Sequence, residues 1–146
     1  MSAITSDAVS AMHAVAATAT GYRSFSVRAL GEWQVEALKK LARFGLLPMN
    51  WDSYGSPPIS DDVLEATAEL VSGVSLQRVP DFAMTPVSGG GVQMEWEKGD
   101  RKLILEVHPD ITFDVLIAEG DESRELLLPS LRSRAIEGLL SWVDAQ

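Results

Sequence analysis

Residues 82–128 alternate apolar and polar side chains with a period of two, and this alternation constrains the fold more than any other feature of the chain. Val92-Gln93-Met94-Glu95-Trp96-Glu97 shows it most clearly. Successive side chains of a strand point to opposite sides of a sheet, so the pattern marks a strand with one buried face. The same alternation predicts strands over 82–87, 92–97, 101–107, 112–118 and 124–128. They are separated by Gly89-Gly90-Gly91, Lys98-Gly99, Pro109-Asp110-Ile111 and Gly120-Asp121. Connections this short join antiparallel neighbours, so the segment reads as a four- or five-stranded meander.

Requiring apolar residues to face one way sets an expected register. A Lys98-Gly99 turn places Val92 opposite Leu105, Met94 opposite Leu103 and Glu95 opposite Lys102, with Glu97 and Asp100 flanking the turn as a solvated acidic pair. A three-residue Pro109-Asp110-Ile111 loop places Val107 opposite Phe113, Leu105 opposite Val115 and Leu103 opposite Ile117. A Gly120-Asp121 turn places Val115 opposite Leu126 and Phe113 opposite Leu128. One consequence is unfavourable: Glu106 falls opposite Asp114 on the outer face, with His108 following on the same side, and facing like charges destabilise a pair.

Around the meander the periodicity is helical. An alanine-rich helix is predicted over 7–19 and a longer one over 25–44, where Val27, Leu30, Leu38, Leu41 and Phe44 recur at helical spacing and Gly45 stops it. Ser60 caps a helix over 61–72 with Val63, Leu64, Thr67, Leu70 and Val71 inward, and Gly73 ends it. Pro129-Ser130 ends the sheet and caps a last helix over 131–143, with Ile136, Leu139, Leu140 and Val143 inward and Trp142 near the edge. The fold class is therefore α+β: N-terminal helices, an antiparallel meander and a C-terminal helix, with helices on one face. At 146 residues the whole chain, 1–146, reads as a single domain, with 1–20 a loosely attached helix.

Composition narrows the function classes. The chain has no cysteine, so disulfides and thiolate metal sites are excluded. No apolar run approaches a membrane span, and the alanine-rich start has no basic residue ahead of it, so a cytoplasmic, non-membrane protein is expected. Residues 1–50 carry five basic and three acidic side chains, a balance of +2, whereas residues 51–146 carry seven and eighteen, a balance of −11. A body this acidic disfavours direct contact with nucleic acid, because phosphate binding needs cations. The partner that suits it is a basic protein, or the basic nucleic-acid-binding groove of a protein.

Between two helices lies Asn50-Trp51-Asp52-Ser53-Tyr54-Gly55-Ser56-Pro57-Pro58-Ile59, too rich in Pro, Gly and Ser for regular structure and too apolar for a solvated linker. This stretch, together with Gly89-Gly90-Gly91-Val92-Gln93-Met94-Glu95-Trp96, resembles a family of small uncharacterised bacterial proteins with a Trp-Asp-x-Tyr loop and a Gly-Gly-x-Gln-x-Glu-Trp strand. The resemblance covers roughly 46–116. It departs from the pattern at Ser53, where glycine is expected, and at Ile111, where Pro-Asp-Gly is expected. It implies a shared fold unit and no particular chemistry.

Two constellations are candidates for function. Glu106, His108 and Asp114 could share a proton, bind a divalent cation or meet a basic partner, with Glu95 on the same outer face. The bland alternative is that the carboxylates splay into water. Asp52 and Tyr54 are the other candidates: an Asp between two aromatics could be a general base or a ligand clamp. The bland alternative there is an Asp that caps its own turn or the helix beginning at Asp61, with Trp51 and Tyr54 packed into the core and Trp51, Gly55, Pro57 and Pro58 serving the loop itself. His13 has no partner within helical reach. Nucleophile elbows and phosphate loops are absent, the glycine triplet precedes a strand rather than a helix, and the four tryptophans lie on separate elements. The sequence thus favours a non-enzymatic interaction protein of antitoxin, immunity or anti-defence type, without cofactor or metal, whose acidic sheet face engages a basic partner. A second reading is a small metal- or carboxylate-dependent enzyme or ligand-binding domain using Asp52, Glu106, His108 and Asp114. A third is homo-oligomerisation through the alanine-rich helix or an exposed strand edge.

Overall fold

The computed structural model of the protein describes residues 29–145. The helix expected over 7–19, His13 and the first residues of the one expected over 25–44 lie outside them. Three helices and five strands follow in the order α1 (Glu32–Phe44), α2 (Asp61–Gly73), β1 (Asp81–Val87), β2 (Gly91–Lys98), β3 (Arg101–Val107), β4 (Phe113–Glu119), β5 (Glu122–Leu128) and α3 (Ser133–Asp144). The strands form one antiparallel sheet in the order β1-β2-β3-β4-β5. This is the α+β meander that the alternation calls for, with all five strands present. No helix among the described residues is long and apolar enough to cross a membrane.

Met94, Trp96, Leu103, Leu105, Val115 and Ile117 point inward and are buried against Ala37, Leu41, Val63, Leu70 and Val71 of α1 and α2 and against Ile136, Leu139, Leu140 and Val143 of α3. Trp142, expected near the edge, is buried as well, with the Arg101 guanidinium 4.9 Å from its ring. Trp33, Phe82 and Trp96 meet edge-on or tilted, 5.2 to 6.1 Å between centroids, where β1 and β2 run under α1. Two of the four tryptophans therefore converge, but inside the core.

The registers of β3 with β4 and of β4 with β5 are those deduced from the alternation: Val107 faces Phe113, Leu105 faces Val115 and Phe113 faces Leu128. The β2–β3 register differs by two residues. Val92 faces Val107, Met94 faces Leu105, Trp96 faces Leu103 and Glu97 faces Lys102. The turn is Gly99-Asp100, not Lys98-Gly99. In both two-residue turns glycine stands first, with positive φ (61° at Gly99, 59° at Gly120), a conformation that costs glycine little. The shift also gives Trp96 an apolar partner in place of Arg101, and it separates Glu97 from Asp100. A two-residue shift keeps the parity, so the assignment of residues to inner and outer faces stands.

The helix boundaries show three further differences. α1 starts only at Glu32, because Gly31 is its extended N-cap and donates its N–H to Gln34 Oε1 at 2.7 Å, while Gln34 Nε2 donates to the carbonyls of Val71 and Val74, each at 2.8 Å. Gln34, not Leu30, is the buried residue of that first turn. Gly45 ends α1 in right-handed geometry, although a glycine that stops a helix commonly takes a left-handed one. Ser130 caps nothing in α3, which begins at Ser133; the Ser133 hydroxyl donates to the Leu70 carbonyl at 2.8 Å and so satisfies the C-terminal end of α2 instead. Ser60 does cap α2, accepting from Val63 N–H at 3.2 Å.

Candidate functional site

The face of the sheet turned away from the helices is the candidate site, and period-two alternation decides what it carries. Three rows of directly paired residues cross it. Thr85, Gln93, Glu106, Asp114 and Leu127 form the first; Ala83, Glu95, Ile104, Leu116 and Glu125 the second; Asp81, Glu97, Lys102, Ala118 and Ser123 the third. In the second row Ile104 and Leu116 stand side by side, half-buried and outside the core cluster, with Glu95 on one flank and Glu125 on the other. Neighbouring strands lie about 4.8 Å apart, so these two glutamates bracket the apolar pair over roughly 14 Å. Glu106 and Asp114 close a third side. The result is an apolar centre framed by carboxylates, and no described element packs over it.

The cations on this face are taken up locally. Lys102 Nζ lies 2.9 Å from Glu95 Oε1 and 3.6 Å from Glu97 Oε2, and the hydrogen bond to Glu95, foremost, holds its pKa above the ordinary lysine value. His108 Nδ1 lies 2.9 Å from Glu106 Oε2, and its Nε2 is 4.0 Å from Asp114 Oδ2. Among the described residues Glu125 has no cationic partner, and Asp114 has only the 4.0 Å contact to His108. Asp114 Oδ1 is shielded from solvent without a hydrogen-bond partner among the described residues, and hydrogen bonding and charge repulsion with Asp114 push the Glu125 carboxyl above its usual range. Glu95, Glu106, His108 and Asp114, the outward residues of the sequence reading, thus share one face. Glu125, Ile104 and Leu116 complete it. The signal for Glu125 lay in the β4–β5 register, which sets it opposite Leu116 and diagonal to Asp114.

Asp52 has a different setting. Its carboxylate accepts from Tyr54 N–H at 3.0 Å, from Ser56 N–H at 3.2 Å, from the Ser56 hydroxyl and from the Ser88 hydroxyl at 2.6 Å. The Ser56 hydroxyl, foremost, and that of Ser88 hold its pKa well below the carboxylate range. Ser56 Oγ also accepts from Gly89 N–H at 2.8 Å, so the α1–α2 loop is tied to the β1–β2 turn. Gly89 and Gly90 adopt φ of 96° and 106° there, and a Cβ on Gly91 would lie 2.7 Å from the Val107 carbonyl oxygen, which gives each glycine of the triplet a steric reason. Trp51 is half-buried and donates Nε1–H to the Pro57 carbonyl at 2.9 Å; Gly55 N–H donates to Asn50 Oδ1 at 2.7 Å. Asp52 is therefore the organiser of its own loop. Tyr54, expected in the core, is 88% exposed, because the turn that Asp52 closes projects it outward.

Asp52 is bound up with Ser56 and Ser88, while Glu106 and Asp114 stand on the sheet with His108 just past the end of β3, so the four do not form one constellation. No three His, Asp or Glu side chains among the described residues are arranged to hold a metal ion. Surface depressions of about 320 and 340 Å³ lie beside Gly31 and Gln77 and between Glu65, Glu69 and Ile111, and neither includes the candidate residues. The chain matches no known protein family, no curated protein and no solved structure.

Proposed function

We propose that this protein is a non-enzymatic interaction protein of antitoxin, immunity or anti-defence type, whose outer sheet face docks on a basic protein surface, including the basic groove of a nucleic-acid-binding protein. One observation carries the reading: Ile104 and Leu116 form an apolar centre that Glu95, Glu106, Asp114 and Glu125 frame on three sides. An apolar centre with a polar rim is the anatomy of a protein interface, in which the desolvated middle supplies affinity and the rim charges supply steering and discrimination. The sign of the rim selects a partner presenting Arg or Lys around an apolar anchor. Asp114 and Glu125, repelling one another, gain most from a guanidinium placed between them.

The test is capture from the native host's lysate on immobilised protein, compared with the Glu106→Lys/Asp114→Lys variant after circular dichroism has shown that the variant is folded. The expected result is a basic protein retained by the parent, lost by the variant and released by salt. Equal retention by both would place the interaction elsewhere.

A further inference from the structure

The described surface exposes six large hydrophobic side chains, and the four that are more than half exposed fall in two places. Leu127, 64% exposed, lies on the outer sheet face. Leu46 (83%), Met49 (65%) and Tyr54 (88%) all lie on the α1–α2 loop. This loop is rigid: Asp52, Asn50, Trp51 and Ser56 tie it internally and to Gly89, and Asn50 and Ser53 hold left-handed φ of 62° and 66°. A rigid loop holding apolar side chains in water loses little entropy on docking, which is how an anchor gains affinity. Its border is basic. Leu46 N–H donates to the Arg43 carbonyl at 3.0 Å, so Arg43 and Leu46 are one turn apart, and Lys40 lies on the preceding turn of α1. Lys40 and Arg43 form no ion pair with a described residue, whereas Lys39 is engaged by Glu36 at 3.6 Å.

Apolar anchors with a basic border are the complement of an apolar centre with an acidic frame, and this chain carries both. We infer that a second copy of this chain occupies the outer sheet face: the α1–α2 loop of one molecule, with Leu46, Met49, Tyr54, Lys40 and Arg43, docks head-to-tail on Ile104, Leu116, Leu127 and the carboxylates of the next. The inference rests on the proposed reading of that face as a docking surface for a basic protein, and it names one such protein. The contact is heterologous, so it propagates into open chains instead of closing a dimer. A loop of this size makes a small interface, so association is weak and salt-sensitive.

Analytical ultracentrifugation of the full chain tests this. Three samples are compared with the parent: Met49→Ser/Tyr54→Ser (loop variant), Glu106→Lys/Glu125→Lys (face variant) and their equimolar mixture, with Arg43→Glu as a second loop variant should the first prove unstable. The parent should show a weight-average mass that rises with concentration and falls with salt, and each variant alone should remain monomeric. The mixture should stop at a dimer, because the face variant's intact loop fits the loop variant's intact face and neither remaining surface can extend the chain. A parent that is monomeric at every concentration, association that survives either variant, or a mixture that stays monomeric overturns the inference. A synthetic Arg/Leu peptide added to the parent separates the two levels. If the peptide binds the face while the parent stays monomeric, the head-to-tail contact is wrong and the docking reading stands; if neither binds, both fall.

Discussion

Glu106 on β3 lies directly opposite Asp114 on β4, two carboxylates in one cross-strand pair, and His108 Nδ1 stands 2.9 Å from the first of them. Facing like charges cost stability in a sheet, so a chain under no other demand would place Thr, Lys or an opposite charge at one of the two positions. Their placement beside Glu125 is the feature on which the proposed docking of a basic partner rests.

Glu125 reports, through pH, a second carboxylate repulsion on the same face, its own with Asp114. Its pKa is raised in the folded protein by Asp114, so the fold binds the proton more tightly than the unfolded chain, and stability falls as pH rises through the folded pKa. Below the unfolded pKa the penalty is absent. Glu125→Gln should therefore raise the melting temperature at neutral pH and give no gain near pH 3, as followed by thermal denaturation across that range. A gain that is the same at both pH values would mean that Asp114 and Glu125 do not interact.

Asp52 behaves with the opposite sign. Its folded pKa is lowered, foremost by the Ser56 hydroxyl, so its contribution is complete above the unfolded value of about 4 and is lost as pH falls through the folded one. Asp52→Asn should lower the melting temperature at neutral pH, with the gap to the parent closing under strong acid. Binding of the basic partner by the folded variant should persist, since Asp52 holds the loop and not the face. Loss of binding in a variant that melts like the parent would make Asp52 a recognition residue.

Two left-handed positions carry residues that pay a steric cost there. Ser53 (φ 66°) and Ile111 (φ 63°) hold positive φ without being glycine. Ser53 is exposed, so Ser53→Gly loses no packing and should stabilise by up to about 1 kcal/mol in urea denaturation. Ile111 is half-buried against the core, and relief of strain is offset there by lost burial, leaving Ile111→Gly within about 1 kcal/mol of neutral. A clear destabilisation by Ser53→Gly would contradict the left-handed conformation at that residue.

Where the sheet meets α3, Arg101 Nε lies 2.7 Å from Glu119 Oε2 and its guanidinium donates to the Trp142 carbonyl at 2.7 Å, with both side chains largely buried. Removing one member of a buried pair leaves an uncompensated charge and typically costs ~3–5 kcal/mol. Arg101→Ala should cost more than the Arg101→Ala/Glu119→Ala double variant, because the double variant leaves no buried carboxylate unpaired. Equal losses would show that Arg101 acts through its stacking on Trp142 and not through its charge.

The fold was legible in the sequence because strand parity and hairpin length are local properties: the Pro109-Asp110-Ile111 loop and the Gly120-Asp121 turn set two registers without further information. The β2–β3 register was not, since Lys98-Gly99 and Gly99-Asp100 are both two-residue turns, and the choice between them rests on glycine standing first in the turn, on the pairing of Trp96 with Leu103 and on that of Glu97 with Lys102. The Ser133 hydroxyl serves α2, a residue distant in sequence, and local capping rules point to Ser130 instead. The candidate face was half legible. Glu106, His108, Asp114 and the pairing of Ile104 with Leu116 follow from register, whereas the openness of that pair to a partner depends on which face the helices leave uncovered. That is a tertiary property with no local signature.

The most direct test of the docking face is an amide NMR titration of the full chain with a synthetic Arg/Leu peptide. Shift changes should concentrate at Glu95, Ile104, Glu106, Asp114, Leu116 and Glu125, weaken with salt, and disappear in Glu106→Lys/Asp114→Lys. Shifts spread evenly over the surface, or centred on the helices while the outer-face residues stay unmoved, would contradict the assignment of this face to a basic partner.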